Sequence, residues 1–293
     1  MQLIDGKKIA QKLRQELKTR IEQIDGRKPG LAFVLIGNDS ASQTYVRMKQ
    51  KGCREVGIES KIIKLPSTIS QEALLKEIDR LNRDRAIDGI LVQQPCPKQI
   101  SMAAIVEATD PEKDVDGFHP MNMGRLLLGK KGGFAPCTPL GIVKLLQKNG
   151  FETKGKRAVI IGRSAIVGKP LAALLIQKGI DCTVSIAHRE TEHLAKVCLE
   201  GDILIAAIGK ARFIKENMIK KGAIVIDVGI NRTDNGLVGD VDFERVKKKV
   251  RAITPVPGGV GPMTITMLLS NTYGAFEKSL HLKSSSRSRL KTH

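Results

Sequence analysis

The chain has 293 residues, 41% hydrophobic and 27% charged, with no Trp, two Tyr and seven Phe. This length and apolar content suit one large or two medium domains with ample core, and exclude a disordered chain. So few aromatic faces argue against a single-strand nucleic-acid platform, which stacks bases on such side chains.

The formal net charge of +19 is the feature that points toward a nucleic-acid or membrane-surface partner. The cations interleave with acids along helical faces, however, and only the C-terminal KSSSRSRLKTH carries one sign. A basic enzyme acting on polyanionic small molecules accounts for the charge equally well, so nucleic acid is not expected as the primary partner. Cys53, Cys96, Cys137, Cys182 and Cys198 are widely spaced without a CxxC, which fits neither a zinc site nor a disulfide framework and indicates a reducing compartment. The N-terminus lacks an apolar signal core, and no apolar run approaches the ~20 residues that span a bilayer. A cytoplasmic protein with no membrane partner is expected.

In chain order, Ile9, Leu13, Leu17, Ile21 and Ile24 predict an amphipathic helix over 7–24, ended by Gly26, Pro29 and Gly30. The run LAFVLIG at 31–37 reads as a strand buried on both faces. Asn38, Asp39 and Ser40 offer a cap for a helix over 41–56. A strand at 58–65, a helix at 71–82 and a strand at 89–93 follow, and this alternation implies parallel βαβ units. Regular signals thin out between Pro95 and Pro139, where a long irregular segment is expected to build a site. A helix near 139–148 leads to strands at 158–161, 183–187, 203–207, 224–228 and 252–254, and PVPGGVGPMT opens a helix over 263–279 that is expected to pack back on the first domain. The fold class is α/β, with two domains, each holding a mainly parallel sheet. The Ser-rich basic tail at 283–293 is expected to be disordered.

The stretch RAVIIGRSAIVGKPLAALLIQKG at 157–179 reads as strand, glycine turn and helix, the first half of a dinucleotide-binding unit. Its glycines Gly162 and Gly168 are six apart rather than in a GxGxxG, so the loop alone also fits a tightly packed βα turn. The next apolar run ends in His188 and Arg189, where an NAD site carries an acid and an Arg suits the 2′-phosphate of NADP. With Arg163 and Lys169 in the first turn, NADP is the favoured cofactor.

Ligand sites of parallel sheets lie outside the carboxyl ends of the strands. Tyr45 and Lys49 are four apart on one helix face, placing a lysine beside a ring in a position suited to proton transfer, though a surface i,i+4 pair has the same spacing. Gln93 in VQQP falls at a strand end, where its amide can orient that lysine or a substrate carbonyl. In PEKDVDGFHP, Asp114 and Asp116 are two apart; without an EF-hand pattern or histidine set they suit an anchor for an amide-rich heterocycle, or an Asx-turn, better than a metal. Pro257, Gly258, Gly259 and Gly261 allow backbone to approach a ligand before a helix start. His119, His188 and His193 form no triad spacing with a Ser or Cys nucleophile.

Together SQTYVRMK, ILVQQP, PEKDVDGFHPMN, PCTP, IIGRSAIVGKP, VIDVGINR, GDVDF and TPVPGGVGPMT resemble the bifunctional methylenetetrahydrofolate dehydrogenase/cyclohydrolase family (FolD) over residues 1–280. The resemblance implies a folate-binding catalytic domain at 1–140 plus 263–282, an NADP-binding Rossmann domain at 141–262, and a homodimer. It implies oxidation of 5,10-methylene-tetrahydrofolate with NADP and hydrolysis to 10-formyl-tetrahydrofolate, in one-carbon metabolism and purine biosynthesis, with no metal. By position, Tyr45 matches a tyrosine stacking on the pterin, Lys49 the catalytic lysine, Gln93 the glutamine that tunes it, and Asp116 the pterin anchor. Gly162, Arg163 and Ser164 match the NADP-binding turn, Ile230 a backbone contact to the nicotinamide end, and Pro257 to Gly259 the loop lining the folate cleft. The sequence departs from the family pattern at Ala165, at Gln94 (usually Leu) and in GKARFI (usually GKPGFI), which bears on cofactor preference and rate. The alternatives are a two-domain dehydrogenase of another small substrate and a basic nucleic-acid-binding protein on the same fold.

Overall fold

The computed structural model describes residues 1–234 and 236–289, with side chains described as far as residue 280. In chain order β1 (Gln2–Leu3), α1 (Gly6–Glu22), β2 (Gly30–Ile36), α2 (Ser40–Val56), β3 (Glu59–Leu65), α3 (Gln71–Arg83) and β4 (Gly89–Val92) come first. Three helices follow: α4 (Met102–Ala108), α5 (Pro120–Leu127) and α6 (Cys137–Lys148). Then come β5 (Arg157–Ile161), α7 (Gly168–Leu175), β6 (Thr183–Ala187), α8 (Leu194–Leu199), β7 (Ile203–Ala206) and β8 (Ile224–Asp227). A hairpin of β9 (Asn231–Thr233) and β10 (Gly236–Val238) precedes α9 (Phe243–Val246), β11 (Ala252–Ile253) and α10 (Val260–Arg289). The chain divides into two compact units. The first holds Leu13–Gly124, Gly132–Phe134 and the residues from Leu268 onward; the second holds Met1–Lys12, Arg125–Lys131 and Ala135–Met267.

In the first unit a parallel sheet has the order β3-β2-β4. All seven residues of the central β2 are buried, which is why its sequence is a continuous apolar run rather than an alternating one. Helix α3 places Leu74, Ile78 and Leu81 at helical spacing against Ala32, Val34 and Ile36 of that strand, each such side chain contributing roughly 1.5–3 kcal/mol by leaving water. Helix α2 starts where Asp39 accepts from the Ser42 N–H at 2.7 Å and stops at Gly57, whose φ of 85° closes it. That fixes the phase of the helix face carrying Tyr45 and Lys49.

A buried carboxylate ties the unit together. Asp88, 3% exposed, receives Arg27 Nη1 and Nη2 at 2.6 and 2.7 Å, the Gly30 N–H at 2.8 Å and the Ser279 hydroxyl at 3.2 Å. The Arg27 guanidinium also lies 4.7 Å from the Phe276 ring centre. Asn271 Nδ2 donates to the Val115 carbonyl at 2.8 Å. The later part of α10 therefore packs on the first sheet's unit, as the sequence reading expects.

In the second unit a six-stranded sheet has the order β1-β11-β8-β7-β5-β6, and every neighbouring pair is parallel. From β5 the chain moves outward to β6, then returns to β7 on the other side, so the strand order reverses at the carboxyl end of β5. Open α/β sheets bind nucleotides at such a point. Val159, Ile161, Leu204, Ala206, Val225 and Ile253 form much of one core layer.

The structure differs from the sequence reading in four places. β1 pairs with β11 in the second sheet, so residues 1–12 sit with the second unit rather than with residues 13–124. The segment 95–139 contains α4, capped by Ser101, and α5. The β9–β10 hairpin and α8 were not foreseen, being three to six residues long. Helix α10 runs to Arg289, into the segment read as a disordered tail; residues 290–293 lie outside the described residues. Among the described residues no helix is long and apolar enough to cross a membrane.

Removing the Asp88 carboxylate takes the acceptor from the Gly30 N–H and the counter-charge from Arg27, which keeps the Ser279 hydroxyl and the Lys28 carbonyl. Asp88→Ala should lower the free energy of unfolding by about 3–5 kcal/mol, as for other broken buried pairs, measured by urea denaturation. A loss below about 1 kcal/mol, the level of an exposed pair, would show that this clamp does not hold the unit.

Candidate functional site

The first unit gathers Lys49, Gln93 and Tyr45 at the carboxyl end of its sheet. Gln93 directly follows β4, its N–H bonded to the Val34 carbonyl at 2.9 Å, and its side chain is 9% exposed. Lys49 Nζ donates to Gln93 Oε1 at 3.0 Å. The amide cannot turn over without loss, because Gln93 Nε2 donates to the Gln94 carbonyl at 2.6 Å. Ser42 Oγ reaches the same carbonyl at 3.2 Å. Gln94 thus contributes through its backbone, and its peptide bond to Pro95 is cis. Tyr45, one turn before Lys49, leaves its ring 44% exposed and accessible to a flat ligand.

The two aspartates of the next loop separate in role. Asp114 is buried and accepts from the N–H groups of Gly117, Phe118 and His119 and from Asn122 Nδ2. Burial pushes its pKa up, opposed by those hydrogen bonds. It is the turn-forming aspartate. A Cβ on Gly89 would come 2.7 Å from Val115 Cγ1, so β4 and the loop pack without spare room. Asp116, half-buried, is the carboxylate this anchored loop presents. Among the described residues no group of three His, Cys, Asp or Glu side chains is placed to hold a metal ion.

The second unit builds its turn after β5. Gly162 has φ +125°, and a Cβ there would collide with the Ala207 carbonyl; one on Gly168 would collide with the Gly162 carbonyl. The two glycines six apart therefore do what a fingerprint's glycines do, letting helix and neighbouring strand close on a tight turn. Ser164 Oγ accepts from the N–H groups of Val167 and Gly168 at 3.1 and 3.4 Å. Arg163 Nη1 lies 3.3 Å from His188 Nε2, joining the ends of β5 and β6. Arg189 is exposed and pairs with Glu190 at 2.6 Å, so of the two residues ending β6 it is His188 that touches the turn. Ile230, 50% exposed, follows β8. Pro257, cis after Val256, leads into Gly258 at φ +108°. The Gly258 carbonyl accepts from the Lys7 N–H at 3.0 Å, and a Cβ on Gly6 would collide with the Gly259 carbonyl. The start of α1 thus braces this loop.

Sequence reasoning missed two carboxylates here. Asp227, at the end of β8 and 3% exposed, accepts from Gly229, Asp240 and Val241 N–H groups at 3.0, 2.9 and 2.9 Å. Burial pushes its pKa up to about 6 against the pull of those donors. Asp240, fully buried, gathers the loop after β7. Both stood in the quoted VIDVGINR and GDVDF segments, but nothing local marks an aspartate as buried. A cavity of about 320 Å³ opens beside them, lined by Arg212, Asp227, Gly239, Pro255 and Val256 among others. Another, about 190 Å³, lies at the amino ends of the strands, where Lys156 and Lys220 are already paired with Glu152 and Asp202 and a parallel sheet places no ligand.

Arg212, in the departing GKARFI segment, has φ +51°, a region that costs a non-glycine residue about 1–2 kcal/mol. Arg212→Gly should therefore raise stability by about 1 kcal/mol, read as a higher denaturation midpoint; a lower midpoint would show that the arginine's contacts outweigh the strain.

A family model described as tetrahydrofolate dehydrogenase/cyclohydrolase, catalytic domain, matches residues 4–116, and one described as its NAD(P)-binding domain matches residues 136–280. The "Bifunctional protein FolD" of Chloroherpeton thalassium is 55% identical over 293 residues, covering 96% of this chain and 100% of that protein. The FolD crystal structure from Campylobacter jejuni is 48% identical with a TM-score of 0.92, covering 95% of this chain and 99% of that one. The Trypanosoma brucei dehydrogenase–cyclohydrolase, solved with NADP and an inhibitor, is 38% identical with a TM-score of 0.89, covering 95% and 98%. With a Lys–Gln pair ending one parallel sheet and a nucleotide turn at the reversal point of the other, the chain belongs to the tetrahydrofolate dehydrogenase/cyclohydrolase family, as a bifunctional enzyme carrying both domains.

Proposed function

We propose that the enzyme oxidises 5,10-methylene-tetrahydrofolate with NADP and hydrolyses the product to 10-formyl-tetrahydrofolate, with Lys49, Gln93, Tyr45 and Asp116 acting on the folate. The observation that carries this assignment is the 3.0 Å bond from Lys49 Nζ to Gln93 Oε1. Asp116, as an anion, accepts from the donor edge of the amino-pterin ring, and the exposed ring of Tyr45 offers it a stacking face. The family resemblance also assigns Pro257, Gly258 and Gly259 to the folate.

The second unit suits a dinucleotide. Two positions at its turn admit no Cβ, leaving backbone open to a pyrophosphate, and Arg163, His188 and Arg189 at the strand ends suit a 2′-phosphate. Bound there, NADP supplies the hydride acceptor. Ile230 provides backbone at the nicotinamide end.

Once the methylene carbon is oxidised to the methenyl cation, water attacks that carbon. Lys49 takes a proton from the attacking water and returns it to the ring nitrogen as the carbon–nitrogen bond breaks; the added hydroxyl gives its remaining proton to solvent and becomes the carbonyl of the formyl group left on the other nitrogen. Gln93, its carbonyl held toward Lys49 by its own bond to Gln94, fixes the amine in place.

Two finer readings go with this. The five cysteines are free thiols, in keeping with a cytoplasmic enzyme of one-carbon metabolism. The enzyme is a homodimer, for which light scattering should give twice the 32.0 kDa chain mass; a monomer mass would refute it.

With purified enzyme, turnover with NADP should exceed that with NAD. In Lys49→Ala the cyclohydrolase step should fall about 10²–10⁴-fold, the usual contribution of a positioned acid–base group, so methenyl-tetrahydrofolate accumulates at its own absorbance. No turnover of wild type with either cofactor would overturn the functional reading; undiminished cyclohydrolase activity in Lys49→Ala would overturn the role of the lysine.

A further inference from the structure

The Asp240 carboxylate, fully buried, takes four donors. Its Oδ2 accepts from the N–H groups of Ile208 and Gly209 at 2.6 and 2.9 Å, and its Oδ1 from the Lys210 N–H and from Asn231 Nδ2, both at 2.9 Å. Three consecutive backbone N–H groups aimed at one point make an anion-binding nest, here filled by the protein's own side chain. Those three residues are the loop that leaves β7, next to Ala207, whose carbonyl bars any Cβ on Gly162. Asn231 directly follows Ile230. Asp240 is itself held from below, since its N–H donates to Asp227 Oδ1 at 2.9 Å while Gly229 and Val241 donate to the same carboxylate. Neither carboxylate has room to move: a Cβ on Gly229 would strike the Asp240 carboxylate, and one on Gly239 would strike that of Asp227.

We propose that Asp240 is a positioning residue for hydride transfer, locking the loop after β7 to the Gly229–Ile230–Asn231 segment so that Ile230 holds one place beside the nicotinamide. This rests on the reading that Ile230 lies at the nicotinamide end. The carboxylate touches neither substrate nor cofactor. It acts through two backbone segments, extending past the strand ends the tie that the Val228 N–H makes to the Ala206 carbonyl at 2.8 Å. Hydride transfer is sensitive to such placement, because about 1 Å of misplacement costs roughly 100-fold in rate. Hydrolysis of a methenyl-folate by Lys49 and Gln93 uses residues of the other unit and makes no use of the nicotinamide. The two activities of one chain therefore separate a loss of hydride geometry from a loss of fold.

Asp240→Asn keeps the shape but turns one acceptor into a donor that faces N–H groups. The dehydrogenase kcat should fall about 10–100-fold, while hydrolysis of directly supplied methenyl-tetrahydrofolate stays within about twofold of wild type. The kinetic isotope effect with methylene-dideuterated substrate should rise, because hydride transfer then limits turnover. In the cofactor-free protein, amide exchange at Ile208, Gly209 and Lys210 should accelerate, a readout independent of turnover. Asn231→Ala removes one of the four donors and leaves the carboxylate buried; it should show the same pattern more weakly, and it serves if Asp240→Asn does not fold. An unchanged isotope effect with both activities lost in parallel would show a structural role only, and wild-type kcat in both variants would overturn the proposal outright. Wild type without NADP-dependent turnover would overturn the functional reading, and this inference with it.

Discussion

Loops at the carboxyl ends of buried parallel strands must satisfy their N–H groups where water does not reach, and this chain does so with carboxylates. Asp114, Asp227 and Asp240 each accept from three backbone N–H groups. The loops they hold are those to which the proposed function assigns the chemistry: the Asp116 loop in one unit, and the segments after β7 and β8 in the other. Asp88 does related work at the opposite end of β4, where it meets Arg27 and the Gly30 N–H. After β7 and β8 the backbone ladder ends within a residue, and a side-chain oxygen takes the next N–H groups.

This device needs glycine. Packed this closely, the Asp240 and Asp227 carboxylates leave no room for a Cβ on Gly229 or Gly239. The same requirement appears at Gly162 and Gly168, where it leaves space for backbone rather than side chain to line the turn. Arg212, like Asp181 and His193, has a positive φ without being glycine. It holds a left-handed conformation at a loop edge next to the Asp240 nest, and no comparable freedom from strain is available to it.

What was legible in the sequence follows from range. The β2 run is readable because a strand buried on both faces needs apolar residues at every position, and Asp39 is readable as a cap because its donor lies three residues on. Tyr45 and Lys49 share a face by helix geometry alone, and Gln93 falls at a strand end. The unread features depend on partners far away in the chain. Strand β1 is two residues whose register is set by residues 252 and 253, and it drew α1's first turn away from the domain that the sequence reading gave it. Asp114 and Asp116 look alike in PEKDVDG until Asn122 and three N–H groups claim the first. Arg189 is readable at a strand end, but its pairing with Glu190 and the contact of His188 with Arg163 are not.

Asp227 carries an electrostatic cost along with its hydrogen bonds. Its ordinary carboxyl pKa of 3.8 rises to about 6 in the folded chain, with burial outweighing three hydrogen bonds. Between those values the folded state holds a proton that the unfolded state has released, so stability falls as pH rises through the window and stays lower above it. Two pH units correspond to about 3 kcal/mol, a cost carried at neutral pH by a group with no cation beside it among its hydrogen-bond partners. An apolar residue there would leave the N–H groups of Gly229, Asp240 and Val241 without an acceptor, at about 1–3 kcal/mol for each buried donor, and release Asp240 from its support. The carboxylate is therefore better understood as a geometric part: it spends folding free energy to fix where the segment carrying Ile230 begins.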